Sequence, residues 1–184
     1  MPSIPPSSAG TSQHRILLLS LDKQSWFDEM YNRLITAISD RAVLQRATGS
    51  AVMQELKEYV SNGGTVVFGR LFSSFISPAD MNAFFRRHFD LPWESGDYHR
   101  TTLHLKPSYS QKAVFLKNVG QTAALYLPSE QSKTENRVFS AEPIRGREQT
   151  PVAWKRISEG WIGYIGDVNG EEGNDGVILG MCGL

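Results

Sequence analysis

Leu56-Lys57-Glu58-Tyr59-Val60-Ser61-Asn62-Gly63-Gly64-Thr65-Val66-Val67-Phe68-Gly69 is the stretch on which the fold turns. Its first half continues a run with Val52, Met53, Leu56, Tyr59 and Val60 at helical spacing, and Ser50 is placed to cap that helix. Asn62-Gly63-Gly64 ends it, because glycine reaches the left-handed conformation of a helix end without a Cβ penalty. Thr65 to Gly69 is then a short, unbroken apolar run, the pattern of a strand covered on both faces.

The same alternation extends toward the N-terminus. Arg15-Ile16-Leu17-Leu18-Leu19-Ser20-Leu21 reads as a second buried strand. Ser25 caps a helix with Phe27, Met30, Tyr31, Leu34, Ile35 and Ile38 on one face. Residues 42–47 form a weaker strand, and the short segment before Ser50 holds only that one. Beyond the opening stretch, Ser77-Pro78-Ala79-Asp80 starts a helix with serine as cap and proline at the first position. Met81, Phe84, Phe85, His88 and Phe89 make its apolar face.

From Thr101 the pattern changes to short alternating segments. Residues 101–105, 113–117, 123–127, 151–157 and 160–166 read as strands, and 129–149 as a polar loop. Ser158-Glu159-Gly160 is a hairpin turn with glycine at the expected positive-φ position. A helix over 174–182 follows, capped by Asn174 or Asp175. Strand and helix alternating through the first half predict an α/β fold: a flavodoxin-like or Rossmann-like three-layer sandwich with a mostly parallel central sheet and a C-terminal β-hairpin.

Composition narrows the function classes. A chain of 184 residues fits one domain, expected over 14–184 after a disordered, Pro- and Ser-rich leader at 1–13. Nineteen basic and nineteen acidic side chains cancel, so no global field draws it to nucleic acid or an anionic membrane. The single cysteine, Cys182, excludes an internal disulfide and any CxxC site, which suits the cytoplasm, and it reads as a small buried residue. No apolar run approaches the roughly 20 residues of a membrane-spanning helix.

The opening stretch and the hairpin Pro151-Val152-Ala153-Trp154 through Trp161-Ile162-Gly163-Tyr164-Ile165-Gly166-Asp167 together resemble the class I glutamine amidotransferase-like superfamily, most closely its trehalose-utilisation (ThuA-like) branch. The resemblance covers about two thirds of the chain and is a fold-level analogy. Glutaminase members of that superfamily place a cysteine nucleophile on a strained turn after a central strand, with His and Glu completing a triad. Here the corresponding turn is Gly69-Arg70-Leu71-Phe72-Ser73-Ser74. The resemblance therefore implies the scaffold without cysteine-dependent glutaminase activity. The single strand before Ser50, where the family usually fits more, implies a lost sheet strand.

Ligands of open α/β sheets bind outside the carboxyl ends of the strands, so three loops are candidates. Residues 20–24 offer Asp22 beside Lys23, without any phosphate cradle of the GxGxxG or P-loop kind. Arg70 with Ser73 and Ser74 can hold a carboxylate or phosphate; the plainer alternative pairs Arg70 with an acidic neighbour and lets the serines satisfy the turn. Residues 166–175 offer Asp167, Asn169 and Glu171. That loop fails the EF-hand pattern, which wants Gly at Glu172 and Glu at Ile178, leaving an irregular oxygen-ligand site or a solvated turn.

Leu91-Pro92-Trp93-Glu94-Ser95-Gly96-Asp97-Tyr98-His99-Arg100 is the most polar-aromatic segment. Asp97 and His99 are the candidate acid-base pair, Trp93 and Tyr98 can stack on a sugar or other flat ligand, and Arg100 can anchor it. The alternative is a structured connection whose aromatics fill the edge of the core. His88 reads as a core residue and His104 as outward-facing; no histidine pair has metal-ligand spacing, so neither metal nor cofactor is expected. Two readings stand: a small-molecule-binding or protein-interaction module, able to form a homo-oligomer through aromatic-rich surfaces, and a hydrolase or isomerase/lyase-type enzyme of carbohydrate or small-metabolite metabolism.

Overall fold

In the computed structural model, described at residues 15–20, 25–48, 53–103 and 109–184, the protein is a mixed α/β structure with two compact units, one within Met1–Gly49 and one over Ser50–Gly183. The leader at 1–13, Asp22 and Lys23, the Ser50 cap and His104 lie outside the described residues.

In the first unit β1 (Arg15–Ser20) pairs in parallel with β2 (Val43–Thr48), from Arg15 opposite Val43 to Ser20 opposite Thr48. The expected single helix between them is two, α1 (Phe27–Met30) and α2 (Asn32–Ser39), broken at Tyr31. Phe27 and Tyr31, one helical turn apart, are both buried, with their rings edge to face at 4.9 Å.

The larger unit carries the opening stretch as the expected helix, glycine stop and strand, though the strand is only partly buried where both faces were expected to be covered. α3 (Met53–Ser61) ends on Gly63 at φ 98°, where the Gly64 amide returns to the Tyr59 carbonyl at 2.8 Å. β3 (Thr65–Phe68) follows and pairs in parallel with β7 (Gly160–Ile165), Phe68 opposite Tyr164. β6 (Val152–Ile157) closes the C-terminal hairpin against β7, giving the order β3-β7-β6. Between these come α4 (Leu71–Phe75), α5 (Pro78–Phe89) and an antiparallel pair, β4 (Glu94–Leu103) with β5 (Tyr109–Lys117). The Ser77 hydroxyl caps α5 by accepting the Asp80 amide at 3.1 Å, and Asp90 leaves the helix at φ 52°.

Phe68 is partly buried and packs against the core, with the rings of Phe72, Phe84, Phe85 and Phe89 5.1–5.9 Å away. Val60, Ile162 and Tyr164 pack into the same cluster.

Four local readings change. The segment from Glu94 is strand, because pairing with β5 supplies its backbone partners whatever its polar composition. Residues 123–127 make only the Ala124 to Ala153 bridge; Leu125 and Leu127 stay exposed along the edge of β6. α6 (Glu172–Met181) starts two residues early, with Glu171 at the N-cap position making no side-chain capping bond, which puts Asn174 and Asp175 inside the helix and buried. At the 158–160 hairpin the positive φ belongs to Ser158, at 51°, and Gly160 is needed for another reason. A Cβ there would overlap the backbone carbonyl oxygens of Val60 and Gly64. Gly160→Ala is accordingly expected to lower the unfolding free energy by about 1–3 kcal/mol, measured by urea denaturation.

Among the described residues no helix is long and apolar enough to cross a membrane. Cys182 caps the end of α6, half-buried, and burial pushes its thiol pKa up.

Candidate functional site

β3 and β7 are parallel neighbours, and each is followed at its carboxyl end by a charged residue, Arg70 and Asp167. Arg70 joins β3 to α4 with φ 59° and ψ −119°, a backbone conformation that side-chain-bearing residues avoid. Such strain costs about 1–3 kcal/mol and persists where the surroundings over-determine it. Here they do so through the side chain. Arg70 is 8% exposed; its guanidinium donates to the Asp167 carboxylate at 3.1 Å and to that of Asp175, from the first turn of α6. The Ser73 hydroxyl lies against the carbonyls of Arg70 and Asp167, at 3.1 and 3.2 Å.

Asp167 is fully buried and its oxygens are well used. Oδ1 accepts the Asn169 amide at 2.9 Å, and Oδ2 accepts the Glu171 amide at 2.8 Å beside the Arg70 bond. Burial pushes its pKa up; the Asn169 amide, the Arg70 charge and the Glu171 amide each pull it back. The network then runs outward. The Glu171 carboxylate accepts from Arg100 at 2.6 Å and from the Asn169 amide group at 3.3 Å, and Arg100 reaches Ser110 at 3.4 Å.

Thus Arg70, Ser73, Asp167, Asn169, Glu171 and Arg100, scattered in sequence, form one connected set, while Ser74 is exposed outside it. Its inner half is a buried ion cluster in which the one guanidinium of Arg70 is shared between the two carboxylates of Asp167 and Asp175. Its outer half, Arg100 with Glu171, is partly exposed and can meet a polar ligand.

The aromatic candidates separate. Trp93 is 2% exposed, edge to face with Phe85 at 5.2 Å, so it offers no face to a ligand; the core claims its indole. Tyr98 is exposed, with the Lys112 ammonium 5.0 Å over its ring. The Asp97 amide donates to Gln149 at 2.6 Å, at a bulge between Ser95 and Tyr98.

His99 stacks on Phe115 at 4.3 Å, and burial lowers its pKa against an opposing pull from the Asp97 charge. A histidine depressed in the fold is protonated more readily when unfolded. Stability should therefore fall as pH drops below the ordinary value near 6.5 and level off once the folded-state pKa is passed. His99→Phe should flatten that part of a pH series of urea midpoints.

Gln111 is a residue that sequence reading passed over. It is wholly buried in β5, and among the described residues nothing hydrogen-bonds to either end of its amide; the same holds for His99 Nε2. Leaving a buried polar group unpaired costs about 1–3 kcal/mol. The available signal was the alternation Gln111, Ala113, Phe115, which puts an amide on an otherwise apolar face. Asp175 was also missed as a partner of Arg70, having been read as a helix cap. Among the described residues no three His, Cys, Asp or Glu side chains are grouped to hold a metal ion.

No family model matches the chain, and no curated protein matches it. Solved structures do. Gan42B, a GH42 β-galactosidase from G. stearothermophilus, is similar over 88% of this chain at 15% identity with a TM-score of 0.50, and its catalytic mutant is similar over the same share at 16% identity and 0.50. The exo-β-1,4-mannosidase Op5Man5 from Opitutaceae bacterium strain TAV5 aligns over 85% at 13% identity and 0.44. The chain spans 27% of the length of each Gan42B chain and 31% of Op5Man5. At such identities the β-galactosidase likeness concerns the fold alone.

Proposed function

We propose that the chain is a glutamine amidotransferase-like domain of flavodoxin-like type, nearest the ThuA-like branch, acting in the cytoplasm as a small-molecule-binding or protein-interaction module. One observation carries this reading: the strained turn after β3, where a nucleophile would stand, holds Arg70, locked between Asp167 and Asp175. A guanidinium cannot form an acyl intermediate, and the Ser73 hydroxyl beside it is turned to the carbonyls of Arg70 and Asp167. The partly exposed Arg100 and Glu171, with Tyr98 on the same strand as Arg100, supply polar and aromatic contacts suited to a ligand. The fold likeness to a β-galactosidase adds carbohydrates to the classes worth testing. A homo-oligomer is compatible with this reading.

A second reading, an enzyme of carbohydrate or small-metabolite metabolism, is favoured by the Asp97 charge acting on His99. One experiment separates the two. The purified chain is screened by thermal shift against sugars, sugar phosphates, amino acids, nucleotides and divalent metals, and assayed for ammonia release from glutamine and for turnover of each hit. Binding without turnover is the expected result. Turnover lost in His99→Gln while the fold persists would replace the first reading with the second.

A further inference from the structure

We propose that His99 and Gln111 form a binding site for an uncharged, hydroxyl-bearing guest; this rests on the reading of the domain as a small-molecule binder and says where the contact is made. The antiparallel register sets His99 opposite Ala113, with Gln111 two residues away in β5, so the two side chains share a face as diagonal neighbours. Ala113 in turn pairs with Asp167 across a bridge flanked by the bonds Val114 N to Gly166 O and Val168 N to Lys112 O. That is the close, non-hydrogen-bonded kind of antiparallel pair, whose side chains point the same way. His99, Gln111 and Asp167 therefore lie on one face, by the carboxyl ends of β3 and β7 where α/β sheets receive ligands.

The chemistry of the unpaired atoms selects the guest. Gln111 offers a donor and an acceptor, and His99 Nε2 offers one more nitrogen. A hydroxyl both gives and takes a hydrogen bond, so a guest bearing hydroxyls can accept from the Gln111 amide NH2 and donate to its oxygen or to His99 Nε2. An anion does not answer them, because beside this face the two carboxylates of Asp167 and Asp175 outnumber the single guanidinium of Arg70, and a metal cation finds no group of three His, Cys, Asp or Glu among the described residues. The hydroxyl can belong to a bound water or to a sugar or polyol.

The test uses the full chain labelled with nitrogen-15. Magnetisation transfer from water to the Gln111 side-chain amide protons identifies a resident water. Saturable shifts of those protons on titration with galactose, glucose, inositol or glycerol, with a rise in Tm of about 5–10 °C near saturation, identify a polyol. Either signal supports the proposal, and the sugar response should disappear in Gln111→Met and weaken in His99→Phe. If Gln111→Met does not fold, His99→Phe alone decides the sugar arm. Absence of both signals overturns the proposal. A sugar that binds the parent and both variants equally overturns this location while leaving the binding-module reading intact; turnover of substrate would remove the reading itself.

Discussion

Arg70→Met is expected to lower the unfolding free energy by about 3–5 kcal/mol, the usual cost of removing one partner from a buried ion pair. The loss comes from what remains. Asp167 is fully buried and Asp175 nearly so, and both would lose the guanidinium that donates to them. Arg70→Gly should lose less than Arg70→Met, because glycine adopts φ 59° without strain while sacrificing the same ion pairs. The effect should also depend on pH in a definite direction. The Asp167 pKa is already raised by burial, and Arg70 is one of the groups holding it down. In the variant it rises further. An acid with a raised folded-state pKa stabilises the fold below its unfolded value, near 3.9, and that contribution is lost as pH climbs through the folded value. The deficit of Arg70→Met should therefore be largest at neutral pH and shrink as the solution is acidified. Urea denaturation across a pH series measures both statements.

Trp93→Ala is expected to cost a similar amount, about 3–5 kcal/mol, for a different reason. At 2% exposure the indole sits in the core cluster against Phe85, and its removal deletes a large apolar surface and leaves a cavity. The variant separates two roles for the same residue. If Trp93 stacked on a ligand, substitution would weaken binding and leave the melting transition in place; packed as it is, substitution lowers stability before any ligand is added. Tyr98→Ala is the natural contrast, since its ring is 55% exposed and the substitution should leave stability within about 0.5 kcal/mol.

The parts of the fold legible from sequence were those in which a local pattern and a local stop signal agree. The helix ending in Asn62-Gly63-Gly64, the strand after it and the Ser77-Pro78 cap all follow from residues within a few positions of one another. The glycine-rich turns were only half legible. Gly160 was noticed as a turn residue, yet what requires it is the approach of Val60 and Gly64, about a hundred residues away in the chain. The first part of β4, residues 94–100, was hidden because its polar residues resemble a loop until β5 is beside it, while the strand read from Thr101 overlaps its end. In the site, Arg70, Ser73, Asp167, Asn169, Glu171 and Arg100 stood out individually, and the alternative of Arg70 paired to an acidic neighbour was foreseeable. Asp175 as that second neighbour depends on a pairing between distant segments that no periodicity encodes, whereas Gln111 was signalled by the alternation of β5 and lacked only the strands that cover it.

A double-mutant cycle between Arg70 and Asp167 tests the central claim most directly, using Arg70→Met, Asp167→Leu and the double variant in urea denaturation at neutral pH. The locked turn predicts a coupling of about 2–3 kcal/mol, with the double variant more stable than the sum of the single losses implies. Losses that add within about 0.5 kcal/mol would contradict it. They would mean that the guanidinium and the carboxylate are not partners, and that Arg70 stands ready at the turn for a ligand.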